Sequence, residues 1–205
     1  MRHSDAPPPF ASWHEFYVSA WADELERAGI ILGYEFEPET FQLCDPLKAP
    51  FIKEGKTRDL IKDQAVLRPH SYTPDFKLLL PTDFCRVFRH YDEAHRGRHH
   101  GLWASTDRDG RPAVYLEVKG AGATTRGAEG KKREAVINQK WLFSKTGILT
   151  NFAHIGPGSR GQQGKTFFEQ TFCPFRFLVT DKTLKQRRLH FTPRSIEDWI
   201  ASCKL

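Results

Sequence analysis

The sequence predicts an α/β protein, a mixed central sheet flanked by helices, on three observations. The first is an amphipathic stripe near the start, Trp13, Phe16, Tyr17, Ala20, Trp21, Leu25 and Ala28, whose i, i+3, i+4, i+7 spacing places one apolar face on a helix. The second is a set of short runs rich in aromatic and β-branched residues, among them Val114–Val118, which reads as a short buried strand. The third is their order along the chain, α-β-β-β-α-β-β-α without internal repeat, which a sheet covered by helices accommodates.

Taken in order, residues 1–11 hold three consecutive prolines and read as a flexible tail, so a single domain is expected over 12–205. Gly29 ends the first helix. Ile30–Leu43, with Tyr34, Phe36 and Phe41 set between glutamates, reads as one or two strands, and 44–71 as a polar stretch centred on the turn-like KEGKTRD. Tyr72–Leu80 is a strand ended by Pro81. Residues 82–112, with Arg86, Arg89, Arg96 and Arg98, four histidines (His90, His95, His99 and His100) and the turn signal DRDGRP, read as an inserted loop or hairpin. After Val114–Val118 comes a Gly/Ala/Thr-rich link, then a basic helix from Lys131 to about Ser144. Thr150–Ile155 and Phe175–Thr180 read as strands around the glycine-rich GPGSRGQQGK, and Ser195–Ser202 as a closing helix after Pro193.

The 205 residues include 31 basic and 25 acidic side chains, net +6. The charge is unevenly placed: residues 1–50 carry three basic and nine acidic groups, net −6, leaving +12 for 51–205. A basic body points to a polyanionic partner. No run approaches the roughly 18 apolar residues of a membrane span, and the start MRHSDAPPPF has no apolar signal core. A soluble cytoplasmic protein without a membrane partner is the expectation. Cys44, Cys85, Cys173 and Cys203 show no C-x-x-C spacing and read as buried free thiols rather than a zinc ribbon or a disulfide scaffold.

Two strands carry charged residues that a buried strand does not need. Asp75 stands between Pro74 and Phe76 where an apolar run begins. In V-Y-L-E-V-K-G, Glu117 and Lys119 are two apart and point to one side, while Leu116 and Val118 point to the other. Two carboxylates and a lysine brought together by adjacent strands suit a hard cation, Mg²⁺ or Mn²⁺.

Pro74-Asp75, followed after 41 residues by Glu117-Val118-Lys119, resembles the PD-(D/E)XK nuclease superfamily. Within it the chain looks most like Holliday-junction resolvases of the phage endonuclease I type and related small phage or transposon nucleases. The shared features are S-x-x-E opening the first helix (Ser12 to Glu15), Y-T-P-D-F (Tyr72 to Phe76) and E-x-K-G (Glu117 to Gly120). The resemblance covers roughly residues 12–145, and the 82–112 segment departs from it. It implies a restriction-endonuclease-like sheet and Mg²⁺- or Mn²⁺-dependent hydrolysis of DNA phosphodiesters, with branched or junction DNA among the candidate substrates and a homodimer compatible with it. Catalytic roles would fall to Glu15, Asp75, Glu117 and Lys119, with Asp75, Glu117, Glu15 and Val118 as the metal set. Lys119 would orient the attacking water. Gly120, lacking a Cβ, would let backbone approach phosphate closely.

For DNA contact the candidates are Gly120, then Lys131, Lys132, Arg133, Gln139 and Lys140 on the basic helix, and Arg187 and Arg188 in the acid-free stretch 182–194. Each has a plainer alternative. Basic runs are commonly solvated faces, a strand-end Glu and Lys are commonly an ion pair, and Ser12 with Glu15 also writes a helix capping box that would occupy the same carboxylate. The histidine-rich RHYDEAHRGRHH matches no zinc spacing. GPGSRGQQGK lacks the Walker interval, and no Ser-His-Asp or Cys-His set has local context. The rival function is a nucleic-acid-binding module on a nuclease-like fold, acting with a transposase or other partner and cutting nothing itself.

Overall fold

The computed structural model describes residues 6–55, 58–94, 101–120, 126–156, 166–180 and 185–203, with backbone alone over 126–132. It is a mixed α/β fold. The first helix, α1 (Trp13–Arg27), starts at Ser12, whose side chain accepts from the Glu15 amide. It ends at Ala28, followed by Gly29 at φ +68°, the left-handed conformation that glycine adopts without a Cβ clash.

The central sheet is built from β1 (Gly33–Phe36), β6 (Phe76–Leu79), β7 (Phe88–His90), β8 (Leu102–Thr106), β9 (Pro112–Gly120) and β10 (Thr150–Ile155). Its order is β1-β6-β9-β8-β7, with β10 also paired to β9. The β10–β9 and β7–β8 pairs are parallel and the others antiparallel. The segment 82–112, expected as an insert, therefore contributes two strands to the sheet itself.

Strand β9 is central, and its alternation sorts the core into two layers. Val114, Leu116 and Val118 face α1 and the C-terminal elements α3 (Phe167–Gln170), α4 (Phe175–Leu178) and α5 (Ile196–Ser202). There the Trp21 indole, fully buried, lies 4.9 Å from the Phe167 ring, 5.6 Å from Phe172 and 5.9 Å from Trp199. Burying each such side chain is worth about 1.5–3 kcal/mol, so this cluster fastens the C-terminal segment to α1. Ala113 and Tyr115 face the opposite way, toward Phe41, Leu43, Tyr72, Leu142 and Ile148. These come from β2 (Phe41–Cys44), β5 (His70–Tyr72) and the long helix α2 (Arg126–Thr146) with its exit.

Three readings of the sequence are corrected. Residues 44–71, expected as polar and turn-like, form β3 (Leu47–Lys53), β4 (Leu60–Leu67) and β5; β3 pairs with β4 and β2 with β5, so 41–72 is one long hairpin. Phe175–Thr180, expected as a strand, opens as the helical turn α4 after Pro174, and among the described residues its strand pairing is a bridge from Val179 to Gln186. Phe10, assigned to the tail, packs its ring 5.0 Å from Phe36 and 6.4 Å from Phe76. All four cysteines are free, Cys173 and Cys203 buried and Cys44 and Cys85 half-buried. Among the described residues no helix is long and apolar enough to cross a membrane.

Candidate active site

The β6–β9 register, which pairs Phe76 with Leu116 and Lys77 with Tyr115, brings Asp75 opposite Glu117 one step further on. The backbone closes this arrangement: Asp75 Oδ2 accepts from the Val118 amide at 2.5 Å. Val118 thus enters the candidate metal set as the anchor of Asp75. Glu117 is buried, with Oε1 bonded to the Lys119 ammonium and Oε2 accepting from the Tyr72 hydroxyl at 2.6 Å. Lys119 is on the same side, as the strand alternation requires, with its side chain about a quarter exposed.

The charges in this cluster do not balance. Burial and the adjacent Glu117 carboxylate push the Asp75 carboxyl up to about 7, against the Val118 amide and Lys119, and Glu15 is near enough to add to the repulsion. Tyr72, desolvated and facing Glu117, is likewise held neutral by a raised pKa, so it serves as a donor to the carboxylate. Oxygen donors carrying unmatched negative charge are the chemistry that a hard divalent cation such as Mg²⁺ or Mn²⁺ accepts. Asp75 and Glu117 fit that requirement. They do not form a complete shell with a third group, for among the described residues no three His, Cys, Asp or Glu side chains converge as ligands.

Glu15 shows why. Its Oε2 accepts from the Ala11 amide at 2.8 Å and the Ser12 amide at 3.1 Å, so the capping box that the sequence also allowed is formed. The carboxylate thereby stays near Asp75 electrostatically while its hydrogen bonds serve the helix start. Gly120 closes β9 against α1: a Cβ there would lie 3.2 Å from the His14 ring, so the missing side chain admits the imidazole.

The DNA-contact candidates separate in the fold. Arg133 and Lys140 are exposed on α2, whereas the side chains of Lys131 and Lys132 lie outside the described residues. Gln139 donates from Nε2 to the Thr150 carbonyl at 2.5 Å, tying α2 to β10. Arg187 donates to the Tyr17 hydroxyl at 3.0 Å and sits 4.5 Å over the Phe177 ring, so its cation is spent on packing the C-terminal segment. Arg188 beside it is exposed. Of the histidine-rich segment, His90 bonds Asp92 at 2.5 Å, while 95–100 lies outside the described residues, as do 157–165 of the glycine-rich loop.

Sequence reasoning quoted Tyr72 within a motif without giving it a role; its signal was a tyrosine in a strand leading into an aspartate, where a buried hydroxyl needs a partner. It also missed Phe152 and His154. The parallel register sets these beside Glu117 and Lys119, on the same face, with their rings stacked at 6.0 Å. Nothing in a single strand foretells which strand will lie beside it. Comparison of the chain with protein-family models, with curated proteins and with solved structures finds no match.

Proposed function

We propose that this protein is a metal-dependent DNA endonuclease on a restriction-endonuclease-like sheet, with Asp75, Glu117 and Lys119 at its centre. The observation that carries the reading is the pair of opposed carboxylates, Asp75 raised to about 7, beside a lysine on the same strand face. A structural role alone gains nothing from two acids placed against each other, whereas a cation and a phosphate together would use both.

In this reading Asp75 and Glu117 hold the cation, Mg²⁺ or Mn²⁺. The ion supplies Lewis acidity that makes water a better nucleophile and offsets charge on the phosphoryl oxygens. The chain's own groups do the positioning. The Val118 amide fixes Asp75, and the Tyr72 hydroxyl fixes Glu117. Lys119 orients the attacking water and faces the charge that builds on phosphorus as the new P–O bond forms and the ester P–O bond breaks. Glu15 contributes negative charge from the start of α1. Exposed Arg133, Lys140 and Arg188 supply backbone contacts that carry no sequence information.

The test is a substrate panel with the full chain: supercoiled plasmid, linear duplex, single strand and a four-way junction, in Mg²⁺, in Mn²⁺ and in EDTA. Cleavage with metal and none in EDTA, abolished by Asp75→Ala while DNA binding persists, is the expected result. Cleavage that survives Asp75→Ala overturns the assignment. Binding without a cut strand on every substrate favours the partner-dependent binding module instead.

A further inference from the structure

The distal part of the long hairpin, β3 with β4, stands out from the body. Apart from half-buried Ala49, every residue of the two strands is exposed. A two-stranded ribbon is marginal by itself in water, and one that keeps large apolar side chains in solvent has a surface to be covered.

Its two faces differ. The register pairs Ala49 with Gln64, Phe51 with Lys62 and Lys53 with Leu60, and strand alternation puts all six on one face. That face holds two cations and no acid. Phe51, 47% exposed, has Lys62 directly across from it and Lys53 two residues along. Neither lysine is in an ion pair among the described residues. The opposite face mixes Lys48 with Asp63 around Ile52 and Ile61. The whole segment 47–68 carries six basic and three acidic residues.

We infer that the Ala49–Phe51–Lys53 face of the ribbon is a stacking platform for single-stranded nucleic acid. Phe51 offers a ring to an unpaired base, and the flanking lysines meet the phosphates on either side, a combination that tolerates any base because every base has a π-face. Charge complementarity selects this occupant over a second copy of the chain, which would be drawn to the Ile52–Ile61 face. The ribbon is rooted at the candidate active site: β5 ends in Tyr72, which bonds Glu117. Ten residues separate Tyr72 from Lys62, at most about 33 Å of strand. The inference deepens the nuclease reading and rests on it only for the cut. It places unpaired nucleotides within about one helical turn of the scissile phosphate.

The experiment measures binding by fluorescence anisotropy in EDTA, using the full chain, a blunt duplex and the same duplex with a ten-nucleotide single-stranded tail. Phe51→Ala weakens binding of the tailed duplex by roughly ten- to a hundredfold and leaves the blunt duplex within about twofold. Phe51→Trp restores it. Lys53→Ala with Lys62→Ala lowers the salt slope on the tailed substrate by about 1.4, at roughly 0.7 per phosphate contact on single strands. Equal affinity of wild type and Phe51→Ala for the tail overturns the inference, as does an equal loss on both substrates. A shift of the Phe51→Ala variant from dimer to monomer in sedimentation also overturns it, by making the face a protein interface. Phe51-dependent tail binding by a chain that cuts nothing in any metal would sink the nuclease reading and leave the platform standing. Metal-dependent cleavage by a chain whose tail binding is indifferent to Phe51 would do the reverse.

Discussion

Two carboxylates on the same side of the sheet, buried Asp107 and half-buried Asp75, one at each end of the β6–β9 pair, meet opposite treatment. Asp107, in the turn that leads into β9, receives the Lys77 ammonium at 2.9 Å and the Arg111 and Asp109 amides at 2.8 and 2.9 Å. Burial works to raise its pKa, but the Arg111 amide and Lys77 overcome it and hold the carboxyl below its usual range. Asp75 stands two residues before Lys77 on the same strand face. It receives one amide and faces Glu117, so it is held well above that range. The compensated acid is a structural ion pair. The uncompensated one, in the proposed reading, would keep charge in reserve for a bound cation, and that contrast would separate a site from a buttress.

The comparison can be broken from either end. The largest expected effect is on catalysis: Asp75→Ala lowers metal-dependent cleavage by at least about 10³-fold in a plasmid-nicking assay, as loss of a group holding charge in the transition state does. Asp107→Asn leaves that rate within a few fold; equal losses from the two substitutions would erase the distinction. Next, Lys77→Met strands Asp107 without its cation and costs about 3–5 kcal/mol in urea unfolding, much of it recovered in the double variant with Asp107→Asn. Tyr72→Phe removes the hydroxyl from Glu117 and lowers cleavage about tenfold. Its cost in stability is about 1–2 kcal/mol, and a weaker response to Mn²⁺ in direct titration marks the effect as one on the carboxylate.

The pH dependence sharpens the contrast. Asp107, with its folded pKa depressed, contributes stability above the unfolded value near 3.9 and loses it as pH falls through the lower folded value. For Asp75 the sign reverses. Between about 4 and its folded value of about 7 the native state holds a proton that the unfolded chain has released, so metal-free stability declines as pH rises through that window. Asp75→Asn in EDTA therefore stabilises the chain by about 1–2 kcal/mol at pH 8, after allowance for its partial exposure, and by little near pH 4. Thermal melts that show the same gain at both pH values would contradict the unpaired-charge account. The smallest effect is at Glu15. Glutamine can also close a capping box, so Glu15→Gln changes stability by less than about 0.5 kcal/mol, and a fall in cleavage beyond that assigns its charge to the site.

Legibility followed burial. The first helix was plain because one face is buried under the Trp21 cluster, and Thr150–Ile155 was read to its ends because the strand has covered faces. The ribbon was missed for the converse reason: β3 and β4 are exposed on both sides, so no alternation of apolar and polar residues was written into them. Phe175–Leu178 misled because four residues, Phe-Arg-Phe-Leu, are too few to show a helical period, and Pro174 before them suits a helical first turn as well as a strand. Charge was readable as amount and not as availability. Arg187 and Arg188 are neighbours of identical chemistry, yet one is folded over Phe177 and the other is exposed.

By itself the sequence determined what depends on backbone period: the apolar stripe of α1, and the shared face of Glu117 and Lys119, which follows from strand geometry over three residues. Only the tertiary structure decided that Asp75 would stand opposite Glu117 and that Tyr72 would bond it. Those outcomes join residues up to 45 positions apart. They depend on strand register and on which charges lose water in the fold, and neither quantity exists until the strands have paired.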